Sequence, residues 1–537
     1  MSLKAIDPQI SFYHTSFVGG DLFGAADRYR LFRERLLPKL LLLREKLESL
    51  YCEQNGRPAV DPVVLAGVTL LQFMEKVPDR AAAAQVRYHL GWKYALDLEL
   101  SYEGFHPTVL VYFRDRLEEK GVERVIFDRI VELLIELGLV KSGGKQRLDS
   151  THILGYVKEM SRLECAVETM RLGLEALEEK VLVRERPEFW ERLWVLYVQS
   201  QLDWRLSKSE REKRYRQLGQ DMKEVLEWID KNSKLSELEA VKLLRRVFGE
   251  QFEVVEGKLQ PSLRRPPQSV QNPHDPDAHY ADKGKKQWVG YKVHVVESVN
   301  PEKPAKRKGD PTENFITEIL TTEAAQDEMA GLAEALRRQE QHHEIKPEAI
   351  YLDGGYVTAK TLAEAEQSGM GLLGPTRPDP HKGPYNVDHF SVDIEQRQAI
   401  CPQGNLSTQW SQIHDVYMGT EYYRIEWGSQ CDDCPVQKQC TRSKNGRRIL
   451  VVGLRHDLVE KRRKEMREAD FSKNMHPRNG IEGTHSELVR GHGLRRTKYR
   501  GETRVGLSHY LMGAACNVKR FLNLMAFQMR TPALSPA

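Results

Sequence analysis

At 537 residues the chain has room for three or four modules of ~150 residues, and 40% hydrophobic with 29% charged residues is a globular composition, neither disordered nor collagenous. Lys and Arg number 81 against 77 Asp and Glu, so a net charge of +4 does not by itself indicate a polyanionic partner. The longest leucine run, Leu40 to Leu43, is hemmed in by Lys39, Arg44 and Lys46 and is far too short for the ~20 apolar residues of a membrane span, while seven cysteines and an opening MSLKAIDPQI without an apolar stretch point to a reducing, cytoplasmic setting.

Residues 1 to about 140 read as helical, with apolar positions at helical spacing in RYRLFRERLLPKLLLLREKLESLY and DPVVLAGVTLLQFMEKV. Asp61 before Pro62 is a cap followed by a first-turn residue, and Gly121 is a stop. A helical module of this kind suits DNA binding or subunit packing equally. After Gly143 and Gly144, QRLDSTHIL (146–154) reads as a strand. From Tyr156 to about Gly257 the pattern is helical and heavily charged. There Trp190, Trp194 and Tyr197 share one helix face at i, i+4 and i+7, which indicates an interhelical core before it indicates base stacking.

Five prolines, Pro261, Pro266, Pro267, Pro273 and Pro276, mark residues 261–280 as a linker or extended segment. QWVGYKVHVVES, NFITEILTTEA, EAIYLDGGY and GMGLLGPT then read as strands, with DEMAGLAEALRRQEQ and TAKTLAEAEQSG as helices around the third. Strands alternating with helices after an antiparallel-looking set predict an α/β layer with a mixed sheet. Residues 383–450 interrupt the pattern and hold four of the seven cysteines; helix returns from Leu454 to Glu468 and from about Arg478 onward.

Three carboxylates stand out. Asp149 in RLDSTH and Asp353 in YLDGGY are expected at or near strand ends, where an acid is presented at the edge of a sheet, although aspartate is equally at home in a turn. In PRNGIEGTHSELVRGHG, Pro477 can open a helix and Gly491 with Gly493 can end it, placing Arg478, Glu482 and His485 on one face. Gly480 and Gly483 leave space around Glu482; the plainer reading is an exposed Arg–Glu pair. Carboxylates gathered from distant segments repel unless a cation neutralises them, and paired Mg²⁺ ions beside a basic patch suit phosphodiester cleavage. Between Phe471 and Arg520 ten basic residues face three acidic ones, a local excess that favours a polyanion over a merely solvated face. Cys401 in CPQG with Cys431, Cys434 and Cys440 in CDDCPVQKQC suits tetrahedral Zn²⁺ better than disulfides, with buried free thiols as the alternative. Cys52, Cys165 and Cys516 are expected to be packing residues.

These segments together resemble the DDE transposases of bacterial insertion sequences, in particular the group numbered eleven eighty-two, over nearly the whole chain. NGRPAVDPVVLAGVTLLQFMEKVPDRAAAAQVRYHLGWKYAL is similar to their helical N-terminal domain, DPDAHYADKGKKQWVGYKVHVVES to their core strands, and CPQG with CDDCPVQKQC to their cysteine-bearing insertion. RNGIEGTHSELVRGHGLRRTKYRG resembles the segment with the last catalytic acid. The resemblance implies an RNase-H-like α/β core in which Asp149, Asp353 and Glu482 bind Mg²⁺ or Mn²⁺. Of the Tyr-Arg-Glu-Lys signature of related enzymes, Arg478 and Glu482 keep their spacing, Met475 replaces the Tyr and Val489 the Lys, with Arg490 one position on.

The domain reading that follows is a helical N-terminal domain (1–140), a first core strand (141–155), a helical insertion (156–260), the catalytic core (261–382), a Cys-rich insertion and zinc knuckle (383–450), and C-terminal helices completing the core (451–537). The resemblance implies strand cleavage and transfer at insertion-sequence ends in a cytoplasmic, nucleoid-associated protein, or else a non-catalytic DNA-binding descendant. Double-stranded DNA is the expected partner, held by Arg478, Arg490, Arg495, Arg496, Lys498 and Arg500, with a homodimer at synapsis and no membrane association.

Overall fold

The computed structural model describes residues 12–52, 58–158, 160–200, 207–231, 233–263, 266–284, 286–300, 309–378, 384–415 and 420–531. The opening MSLKAIDPQI and Asn55 to Arg57 lie outside the described residues. Among the described residues, no helix is long and apolar enough to cross a membrane.

The organising element is a mixed six-stranded sheet. Its strands are β1 (Lys145–Leu154), β2 (His279–Lys283), β3 (Lys286–Val299), β4 (Ile316–Glu323), β5 (Ala349–Tyr351) and β6 (Gly371–Leu373). β3 runs antiparallel to β1, β2 and β4, whereas β5 and β6 continue parallel to β1 on its other side. This order, β3 antiparallel beside β1 with β2 and β4 on the far side of β3, and two parallel strands on the other side of β1, is RNase-H-like. The long strands β3 and β4 fall where β-branched and aromatic residues cluster in the sequence, and the parallel pair β5 and β6 is joined through the helix Ala359–Ser368, as parallel connections require.

Alternation along β1 decides what each face meets. Arg147, Asp149, Thr151 and Ile153 share one face; Gln146, Leu148 and Ser150 share the other. Leu148 packs in a core with Val296, Leu320, Leu332 and Ile350, under α6 (Glu328–His343) and α7 (Ala359–Ser368). Ile153 belongs instead to the largest core, shared with the N-terminal helices, among them α1 (Pro62–Glu75) and α2 (Val125–Glu136), and with the C-terminal helices α9 (Gly480–His492) and α10 (Glu502–Arg530). The N-terminal helices therefore pack against the sheet's own C-terminal layer. Asp61 caps α1 by accepting from the Val63 and Val64 amides, and Gly121, at φ +63°, follows the helix ending at Glu119, both as the sequence predicts.

The long connection from β1 to β2 forms a separate helical layer. It comprises α3 (Arg162–Glu178), α4 (Lys208–Ile229) and α5 (Glu239–Gln251), with its own apolar core and a hairpin pairing 252–255 with 258–261. Trp190 and Tyr197 are buried in that core and Trp194 stacks beside Trp190, so the aromatics are packing residues. A further unit precedes and follows the cysteines: β7 (Ser391–Asp393) with β8 (Gln398–Ile400), then a three-stranded sheet of β9 (Gln409–Asp415), β10 (Thr420–Glu426) and β11 (Ile449–Gly453). From β11 the chain enters α8 (His456–Glu465) and returns to the core.

Four sequence expectations are corrected. Asp149 is in the middle of β1, because β3 pairs with the strand along its whole length. Arg478 precedes α9, in a 3₁₀ turn over His476–Asn479. The C-terminal helix is broken between Gly493, which caps α9 in the left-handed conformation, and Gly501. Cys52 is exposed, while Cys165 and Cys516 are buried.

Candidate active site

Asp149 projects from β1 toward the α9 layer, with Oδ1 accepting from the Ser150 amide at 2.8 Å. Among the described residues it has no ion-pair partner. Burial pushes its carboxyl up to about 6; the Ser150 amide opposes that shift and the neighbouring Asp353 charge adds to it. Asp353 follows β5 at the carboxyl end of the parallel strand, and its Oδ1 accepts from the Gly355 amide at 2.7 Å. Adjacent strands thus bring together two acids separated by 204 positions, and they feel each other's charge.

The third acid is reached through α9. Arg478, just before the helix, approaches Asp353 Oδ2 at 3.9 Å. His485, one turn into it, is buried against the backbone of Asp149, and burial lowers its imidazole to about 4. Glu482 lies between these two anchors on the first turn of α9; it is exposed and makes no hydrogen bond or ion pair among the described residues. The helix carrying Glu482 therefore sits over both aspartates, while its carboxylate does not touch theirs.

A buried polar network fixes that helix. Glu297 on β3, fully buried, binds Arg147 of β1 through Nη2 at 2.5 Å, Arg520 of α10 at 2.5 Å and the Thr484 hydroxyl of α9 at 2.7 Å. Burial alone would raise the Glu297 carboxyl, but Arg520 and Arg147 outweigh it and hold it ionised. Arg147 also donates to the Pro477 carbonyl at 2.7 Å, and a Cβ on Gly480 would collide with its guanidinium, so glycine lets the start of α9 rest on β1. The sequence reading gave Gly480 the task of leaving room around Glu482; the room is taken by Arg147.

The basic residues behave differently from one another. Arg495 spends Nη1 on Thr151 Oγ1 and the His152 carbonyl, at 3.0 and 2.6 Å, and so fastens the chain to β1. Arg490, Arg496, Lys498 and Arg500 are exposed, with Arg500 over the Tyr156 ring. Sequence reasoning missed Lys283, Lys292, Glu328 and Arg377, which line a cavity of about 1020 Å³ beside the aspartates. Lone lysines and acids on separate elements carry no motif, so only the fold could assemble them.

Cys401, Cys431, Cys434 and Cys440 line one small cavity with Phe390 and Trp427, and burial together with the other three cysteines acts on the Cys440 thiol, which is pushed up. Among the described residues, the group of three potential ligands whose atoms all lie within 4.8 Å of one another is Glu487, His492 and Cys516; the four cysteine sulfurs are spread more widely. Arg520 donates to Glu487 at 2.8 Å, so that carboxylate already has a cation as its partner.

The sheet and its paired aspartates define an RNase-H-like α/β protein. A transposase DDE domain model matches residues 400–522, and a transposase domain model (DUF772) matches residues 22–116. The chain thus carries transposase domains, in the pairing typical of insertion-sequence DDE transposases. The DDE match contains Glu482 and the four clustered cysteines, and neither aspartate. Comparison with curated proteins and with solved structures gives no match.

Proposed function

We propose that this chain is a divalent-metal-dependent transposase that cuts and joins DNA at the ends of an insertion sequence of the eleven eighty-two type, with Asp149, Asp353 and Glu482 as its acids. The observation that carries the reading is that Asp149 lies on β1 and Asp353 just after the adjacent β5, with the Glu482 helix anchored over both. Their donor set is hard carboxylate oxygen, and the half-buried Asp149 carboxylate, without an ion-pair partner among the described residues, is the kind of group that a divalent cation neutralises. When bound there, Mg²⁺ or Mn²⁺ activates an attacking oxygen and stabilises the leaving one.

The chain's own residues do the positioning. Arg478, beside Asp353, holds the non-bridging oxygens of the scissile phosphate; Arg377 and Lys283 neutralise the strand running into the cavity. His485, neutral at physiological pH, packs against the Asp149 backbone and orients it without competing for the cation. Arg490, Arg496, Lys498 and Arg500 hold flanking duplex phosphates, which positions the DNA without reading its sequence. Two ends brought together require two copies of the chain, so the working form is a homodimer on DNA, in the cytoplasm at the nucleoid. Cys401, Cys431, Cys434 and Cys440, which line one cavity, would hold one structural Zn²⁺ if their sulfurs drew together around it.

Cleavage of labelled duplex carrying the element's terminal repeats tests this reading. Strand breaks are expected with Mg²⁺, and none with chelator or in Asp149→Asn, Asp353→Asn and Glu482→Gln. Binding of the same duplex without any metal-dependent cut would instead describe a non-catalytic DNA-binding descendant.

A further inference from the structure

The helix layer opposite α9 also sends an acid to this site. Glu328 is the first residue of α6, capped by Asp327, and its Oε1 is 3.3 Å from the hydroxyl of Ser150, the residue after Asp149. A Cβ on Gly355 would stand 2.9 Å from Asp353 Oδ1 and 3.0 Å from Glu328 Oε2, so these carboxylates face each other across a glycine. Independent of the acids, Tyr356 is fully buried with a hydroxyl that lacks a hydrogen-bond partner, and it lies beside Ser150 in the combined field of Glu328, Asp149 and Asp353. A buried hydroxyl left unpaired is costly, and a water held on a divalent ion at this site would be a partner for it.

We infer that Glu328 is a further carboxylate ligand of the divalent-metal centre, reaching Asp353 from the face of the sheet opposite Glu482. The inference rests on the reading of Asp149 and Asp353 as metal-binding. Lys283, which pairs with Glu328 at 3.2 Å, has a side chain that is 66% exposed, so it can turn away at the small cost of a surface ion pair. Lys283 then faces the cavity and the phosphate of the bound strand.

Mn²⁺ binding to the full-length chain, followed by electron paramagnetic resonance of the free ion without DNA, tests the assignment. Asp353→Asn is expected to lose the site. Glu328→Gln is expected to weaken Mn²⁺ binding at least ~10-fold, since even outer-shell partners of metal sites are worth 10–100-fold, with its thermal unfolding in chelator unchanged. Lys283→Ala is expected to bind Mn²⁺ as tightly as the parent or more tightly. Wild-type affinity in Glu328→Gln, with Asp353→Asn defective, overturns the role of Glu328 and leaves the two-aspartate centre standing. A loss in Lys283→Ala equal to that in Glu328→Gln also overturns it, since the acid would then act through the lysine. Unchanged binding in Asp353→Asn overturns the centre itself, and this inference with it.

Discussion

Asp149 is held in a state that costs the fold something. Its burial in β1 beside Asp353 raises its carboxyl to about 6 from an ordinary 3.8. An acid shifted upward on folding costs no stability below its ordinary value; the cost grows as pH rises past 3.8 and is complete above about 6. Asp149→Asn removes the charge and leaves an oxygen to accept from the Ser150 amide. In chelator at pH 7.5 the variant is therefore expected to be more stable than the parent, by at most ~3 kcal/mol, and equal to it near pH 3.5. Urea unfolding at the two pH values measures this, and a variant less stable at pH 7.5 would show that the carboxylate serves the fold. The position of Asp353 just after a strand was legible, because an apolar strand ending near an acid is a local pattern; the mid-strand position of Asp149 was not, because β3 pairs with β1 along its whole length only in the fold. Glu328 was not, because an acid at a helix start reads as a favourable first-turn charge until the fold sets that helix beside β1.

At the scale of elements, the question is what keeps α9 over the aspartates. Glu297 joins β1, β3, α9 and α10 through Arg147, Thr484 and Arg520. Glu297→Ala leaves the buried Arg147 guanidinium without its ion-pair partner and Arg520 with Glu487 alone, and breaking a buried pair costs ~3–5 kcal/mol. Chemical denaturation of the variant is expected to show a loss of that size, and a loss under ~1 kcal/mol, no more than an exposed pair is worth, would mean the network does not hold the helix. None of this was legible beforehand, since Arg147, Glu297 and Arg520 lie on three elements and meet only through the strand register. The Cys-bearing unit is different: CPQG and CDDCPVQKQC suggested that these cysteines come together, and the fold brings them around one cavity, with their sulfurs more widely spread than in a closed ligand set. Protein purified without chelator is expected to carry one zinc per chain and Cys434→Ser none. Equal zinc content in the two would assign these thiols to packing.

For the whole molecule, most strands of the mixed sheet and the helices around them were legible from period-two and helical patterns, whereas the order of strands in the sheet, the edge strand β2 and the small sheets around the cysteines were not, because short strands carry little periodicity and pairing is set by the fold. What escaped was the division of labour among the basic residues after Glu482, which share a charge but differ in burial. Arg495 is tied to β1, whereas Arg496 is exposed. Arg496→Ala is expected to weaken binding to specific and random duplexes alike and to flatten the salt dependence by about one unit of slope. Arg495→Ala is expected to destabilise the protein as well. Titrations at several salt concentrations separate the two, and an unchanged slope in Arg496→Ala would move the phosphate contacts to the N-terminal helices.

The central claim is that the aspartates of adjacent strands form one metal centre, and anomalous diffraction from Mn²⁺-soaked crystals addresses it most directly. A peak within ~2.0–2.2 Å of carboxylate oxygens from both Asp149 and Asp353 is the predicted result, with a second ion ~3.5–4 Å away when DNA is bound. Crystals of cleavage-competent protein with Mn²⁺ bound elsewhere, and none between these two residues, would contradict the account.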